Sequence, residues 1–185
     1  MTRTRQHDEF TDLDAPEWLA LFENVRQSWF RLETLQRYSV DYERDEFEQF
    51  LLIGRLKREP GAWQRMLQRH RAAGRKLQRV HVVEEPLTDY LRYELAAYEQ
   101  NAAAGEEIRL LPVTPPAWPS GLPRGRDFWL FDDTEVWDMH YDEQGRFVRA
   151  TCTDDPDHVQ ECRRWRDLAL ENSIDLSDYL RHHAA

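Results

Sequence analysis

Apolar positions along the chain repeat with two periods, and each period predicts an element. Trp18, Leu21, Phe22 and Val25 stand at i, i+3, i+4 and i+7 behind Asp14-Ala15-Pro16-Glu17, a helix start with Asp as N-cap and Pro in the first turn. The spacing predicts an amphipathic helix over 15–27. In FRLETLQRYSV the period drops to two. Phe30, Leu32, Thr34, Gln36, Tyr38 and Val40 alternate with mostly polar neighbours, as in a strand. A helix follows with Phe47, Phe50 and Leu51 as its buried stripe, ending near Gly54. Helical spacing returns at Trp63, Met66, Leu67 and His70, and Gly74 stands where a helix C-terminus belongs.

LQRVHVV, rich in β-branched residues, predicts a strand at 77–83. Leu87, Leu91, Leu95 and Tyr98 line a helix that opens at Pro86 and ends at Gly105, and Ile108, Leu110 and Leu111 form a short strand. VTPPAWPSGLPRG reads as a mobile loop. Strands at 127–132, 135–141 and 146–152 follow, turned by Asp132-Asp133 and by Glu143-Gln144-Gly145. Helices at 156–171 and 175–182 close the chain. The run from 61 to 111 implies a parallel β-α-β crossover, and the later hairpins add antiparallel strands. The expected architecture is α/β, a mixed sheet with helices on both faces. A single domain over 14–182 follows a disordered tail at 1–13.

Composition narrows the setting. With 185 residues and 12% aromatics the chain can bury one sizeable core. Cys152 and Cys162 have no metal-type spacing, so a reducing cytoplasm is expected. The sequence offers neither a membrane-spanning run nor a leader. A net charge of −10 argues against direct nucleic-acid binding. Yet nine Lys/Arg crowd residues 55–79 against one acid, Glu59. Arg65, Arg69, Arg71 and Arg75 therefore read either as a solvated helix face or as a docking patch for an acidic partner.

Two resemblances arise from the order of phrases. AAGRKLQRVHVV, AAAGEEIRLL and DFWLFDD turning into TEVWDM resemble half of the phospholipase D fold. That family carries H-x-K-x-x-x-x-D on the corresponding strand. Aligning its Asp with Asp132 puts Asp127 at the Lys and Gly125 at the His; ending on Asp133 gives Phe128 and Arg126. Neither register restores the nucleophile or the phosphate-holding cation. RVHVVEEPLTDYLRYEL, AGEEIRLL, DFWLFDD and FRLETLQRY together resemble an uncharacterised actinomycete family, often encoded beside helix-turn-helix regulators. This resemblance implies an accessory partner of a transcription regulator.

The candidate ligand-binding residues are Glu85, Thr88, Asp89 and Arg92 on the helix after the 77–83 strand, with Asp127 and Asp132 flanking the aromatic run. The first four lie where open α/β sheets bind ligands, and Arg92 suits an anionic group; the competing reading is a helix cap with an Asp89–Arg92 ion pair. His81 between valines reads as a satisfied buried histidine, His140 as surface, and Glu33 and Glu43 as acids without partners. The His182-His183 tail is poor support for a metal site. No catalytic, metal or cofactor set is identified, so the expectation leans away from enzymes. It favours a regulatory, ligand-sensing module for a small anionic ligand, with homodimerisation left open. The alternative is an enzyme acting on a phosphoester through a non-standard site.

Overall fold

In the computed structural model, which describes residues 9–40, 43–56 and 59–183, eight strands form one mixed sheet in the order β1-β7-β6-β5-β2-β3-β4-β8. Strands β2 (Ser28–Glu33), β3 (Lys76–Glu84) and β4 (Glu107–Val113) are parallel neighbours. Helices α2 (Arg44–Ile53) and α3 (Ala62–Ala72) lie between the first two, and α4 (Asp89–Ala104) between the second and third. Parallel pairing demands such crossovers. β5 (Asp127–Phe131), β6 (Glu135–Tyr141) and β7 (Phe147–Thr153) then run as an antiparallel meander, with β5 laid beside β2. The ends are α1 (Pro16–Glu23), α5 (Pro156–Asn172) and α6 (Leu176–His183), with two-residue edge strands β1 (Glu9–Phe10) and β8 (Ile174–Asp175).

Alternate positions of the central strands feed different clusters, as the pleat requires. Trp29, Leu77, Trp129 and Phe131 pack with Trp18 and Phe22 of α1 and Met66 and Leu67 of α3. Phe30, Leu32, Val80, Phe128 and Leu130 pack with Val159, Cys162 and Ala169 of α5. The aromatic run of β5 is buried throughout, and Asp132 and Asp133 form its turn with φ of 50° and 57°. Phe131 pairs with Glu135, so Asp132, Asp133 and Thr134 make the connection, and Asp tolerates the left-handed conformation that the first two adopt.

Several expectations shift. The expected disordered tail is corrected at its end, since Glu9–Phe10 pairs with β7 and Phe10 packs on Trp18 and Trp137; residues 1–8 lie outside the described set. α1 stops at Glu23, short of 27, because Arg26, Gln27 and Ser28 are drawn into the start of β2 by the Asp132 carboxylate. β2 ends at Glu33 rather than 40. Leu51 is not part of a buried stripe: it is exposed, and α2 has no fully buried residue. Lys57 and Arg58 of the basic run lie outside the described residues.

His70 joins α3 to the last turn of α1. Its Nε2 lies 2.8 Å from the Phe22 carbonyl, which can only accept, so that nitrogen carries the proton. Nδ1 is then the acceptor facing the Arg75 guanidinium. Burial lowers the His70 pKa, with Arg75 and Arg69 adding to the effect and Glu23 and the Phe22 carbonyl opposing it. A depressed histidine leaves the native state neutral while the unfolded chain protonates. Stability from this group is therefore present above about pH 6.5 and is lost as pH falls through the depressed value. Urea midpoints of His70→Gln are expected to fall less between pH 7.5 and 5.5 than those of the parent. Equal falls would remove His70 from the acid response.

Candidate functional site

The alternation that buries Trp29 also buries Arg31 and Glu33, two and four residues further along β2. The parallel register sets Arg31 beside Arg79 and Glu33 beside His81 of β3, while β5 puts Trp129 on the other side of Arg31. Two guanidiniums and their counterions thus sit on one stretch of sheet. Arg79 Nη1 donates to Glu33 Oε2 at 2.8 Å and its Nε to Glu106 Oε1 at 3.1 Å. Arg31 reaches Glu33 at 3.3 Å, Asp127 at 3.2 Å and the Tyr141 hydroxyl at 3.0 Å. Both guanidinium carbons lie over the Trp129 ring, at 5.2 and 5.5 Å.

α4 closes the network from above with Tyr90, Glu94 and Tyr98, spaced four apart on one helix face. The Tyr98 hydroxyl lies 2.6 Å from Glu33 Oε2 and 2.9 Å from His81 Nδ1. His81 Nε2 lies 2.7 Å from the Leu35 carbonyl and must donate to it, leaving Nδ1 as the lone-pair nitrogen. Glu94 Oε2 is buried without a hydrogen bond, 3.5 Å from that Nδ1. Arg31 Nη1 is likewise buried without a partner. Beside these groups runs a cavity of about 500 Å³, walled by Trp63, Tyr90, Tyr93 and Trp129 and also lined by Arg31, Glu33 and Glu94.

The carboxyls are pushed in opposite directions. Burial alone would lift Glu33, but Arg79 and Arg31 overrule it and hold it well below the usual carboxylate range. Glu94 is lifted well above that range by burial and then by the charge of Glu33, despite Arg79. Burial also lifts Glu106 and Asp127 and depresses His81. Cys162 has its thiol pushed up to about 12 by burial, which leaves it inert as a nucleophile.

The residues expected from sequence scatter. Asp127 is buried, accepting from the Thr34 N–H and hydroxyl at 2.8 Å each, from the Tyr38 hydroxyl and from Arg31. Asp132 accepts three backbone N–H groups and anchors a turn. Thr88 caps α4 through the Leu91 N–H, and Asp89 pairs with Arg92 at 2.8 Å on the surface. Glu85, bonded to the Tyr179 hydroxyl at 2.9 Å, and Arg92 do border a second hollow of about 710 Å³. On α3, Arg65 and Arg69 are exposed, Arg69 holding Glu23 through both carboxylate oxygens at 2.7 Å. The Arg71 stem crosses so close over Gly105 that a Cβ there would lie 2.6 Å from Arg71 Cδ. Arg75 turns to His70. Glu33 and Glu43 have partners after all, the latter accepting from Tyr90 at 3.1 Å. Arg79 belongs to the buried network rather than to a basic surface. Arg31, Glu94 and Glu106 were not singled out from sequence. For Arg31 the available signal was charge at the alternate positions of FRLE and of QRVH, strands whose other face is apolar; Glu94 and Glu106 lie outside those phrases.

The family model described as "Domain of unknown function (DUF6879)" matches residues 16–181. The chain belongs to the DUF6879 family. The match spans every strand and helix named above except the edge strand β1 and the last residues of α6. No curated protein matches this DUF6879 chain. Among solved structures it is similar to NucT from Helicobacter pylori, with a TM-score of 0.47 and 12% identity over 85% of this chain and 87% of that one. Among the described residues, no helix is long and apolar enough to cross a membrane.

Proposed function

We propose that this DUF6879 chain is a non-catalytic sensing module that binds a small anionic ligand in the cavity over β2 and β3. The observation that carries the proposal is Arg31 Nη1, buried and without an acceptor on a residue that lines the cavity. An orphaned buried donor costs about 1–3 kcal/mol, more when charged, and an anionic oxygen would recover it. The aromatic walls suit a flat apolar body attached to that anion. Occupancy is passed to a partner in the cytoplasm, a helix-turn-helix transcription regulator, as the resemblance read from the sequence implies. Exposed Arg65 and Arg69 on α3 offer a docking face. A phospholipase D-like arrangement is part of the same proposal. In that reading β5 would correspond to the motif strand and Asp127, which accepts from Arg31 at 3.2 Å, to its phosphate-holding Lys.

A second reading is favoured by one observation. Glu33 held ionised beside Glu94 held neutral is how an acid–base pair is arranged, so a phosphoester-cleaving enzyme is the alternative.

Thermal denaturation with phenyl phosphate and with inorganic phosphate separates these outcomes. Phenyl phosphate at 100 times its Kd is expected to stabilise the protein by about 2.7 kcal/mol. Inorganic phosphate should stabilise less, lacking the apolar body. Arg31→Lys keeps the charge but removes Nη1 and should abolish the shift. A melting curve that neither compound moves, or that shifts equally in the variant, contradicts the sensing site. Release of phosphate, lost in Glu94→Gln, would replace sensing with catalysis.

A further inference from the structure

Three potential ligand atoms converge at the floor of the cavity. His81 Nδ1 lies 3.5 Å from Glu94 Oε2 and 3.9 Å from Glu33 Oε2. Bonds of roughly 2.0–2.2 Å to a tetrahedral ion put neighbouring ligand atoms roughly 3.4 Å apart. All three groups offer ligand atoms within 4.8 Å of one another, and the two separations from Nδ1 are close to the spacing a metal ion needs. We infer that Glu33, His81 and Glu94 form a site for one first-row divalent transition cation such as Zn²⁺.

The histidine is set up for this. Its Nε2–H is held by the Leu35 carbonyl, which orients the ring and turns the Nδ1 lone pair inward, the outer-shell support that ligating histidines use. Glu94 Oε2 supplies a buried oxygen with no hydrogen bond to lose. The Tyr98 hydroxyl, which donates to Glu33 Oε2 at 2.6 Å and lies 2.9 Å from Nδ1, steadies both groups from the outer shell.

Charge supports the same conclusion. Four carboxyls, Glu33, Glu94, Glu106 and Asp127, share this buried network with two guanidiniums, Arg31 and Arg79. The carboxyls outnumber the guanidiniums by two, so a divalent cation that binds them in ionised form leaves the set neutral. One imidazole among carboxylates favours a transition ion over Mg²⁺ or Ca²⁺, whose ligands are oxygens. The site goes beyond the anion reading and stands without it, although a bound cation would add to anion capture next to Arg31.

The test uses the full chain, stripped with a chelator and titrated calorimetrically with Zn²⁺ alone, with Mg²⁺ as control. One Zn²⁺ per chain is expected, and Glu94→Gln should weaken it by at least about tenfold. A His182→Ala/His183→Ala variant should bind as the parent does. No zinc binding, binding undiminished in Glu94→Gln, or binding lost with the C-terminal histidines would overturn the site. X-ray absorption of the parent's zinc complex covers the case in which Glu94→Gln fails to fold. A shell of oxygens with imidazole nitrogen supports the site, and sulfur from Cys152 or Cys162 overturns it. Absence of zinc leaves the phenyl phosphate result untouched, so the two proposals fail separately.

Discussion

Replacing Arg31 by Met is expected to destabilise the protein by about 3–5 kcal/mol, the cost of breaking a buried ion network by removing one partner. Met fills much of the volume, so the loss reports charge rather than a hole. Glu33 would keep Arg79, but Asp127 would keep only the Thr34 and Tyr38 hydrogen bonds, and Tyr141 would lose its partner in the network. A buried carboxylate without a cation must take up a proton or pull in water. Arg31→Lys retains the positive charge and should recover most of the loss, although it cannot reach Glu33, Asp127 and Tyr141 together. Urea denaturation of the two variants measures this, and equal midpoints for Arg31→Met and the parent would show that the network contributes nothing to the fold.

Trp129→Ala should cost a similar amount, about 3–5 kcal/mol. The indole is buried in the middle of β5, 4.8 Å edge-on to Phe22 and stacked at 6.0 Å on Phe131. It also provides the π-face under Arg31 and Arg79. Each cation–π contact is worth about 2 kcal/mol or more when desolvated, so its loss should push the result to the upper part of the range. Trp129→Phe keeps an aromatic face and should fall between the parent and alanine. An unchanged midpoint for Trp129→Ala would mean that the aromatic run does not carry the centre of the sheet.

The two substitutions also mark how far the sequence could be read. Trp129 was legible because a run of aromatic residues ending in a two-acid turn has few solutions other than a buried strand. The β-α-β crossover and the meander were legible for a like reason: the period changed from 3.6 to 2 at recognisable turn residues. Arg31 was not legible. Charge at alternate strand positions ordinarily means a solvated face, and only the pairing of β2 with both β3 and β5 turns that face inward. Glu33 gave no sign of its partners, because Arg79 and Tyr98 are brought to it by strand pairing and by α4. Conversely, Asp132 looked like a site residue but serves the turn and the entry to β2. Local sequence reports hydrogen-bonding capacity, whereas burial depends on contacts across the sheet.

The central claim is that the cavity over β2 and β3 receives an anionic ligand, with Arg31 Nη1 as its contact. A crystal structure of the chain grown with phenyl phosphate tests this most directly. The account predicts density for the compound in the cavity, its ring against the aromatic wall and a phosphate oxygen within hydrogen-bonding distance of Arg31 Nη1. A cavity holding only water, with Arg31 Nη1 bonded to the protein's own groups at a concentration that saturates any thermal shift, would contradict it.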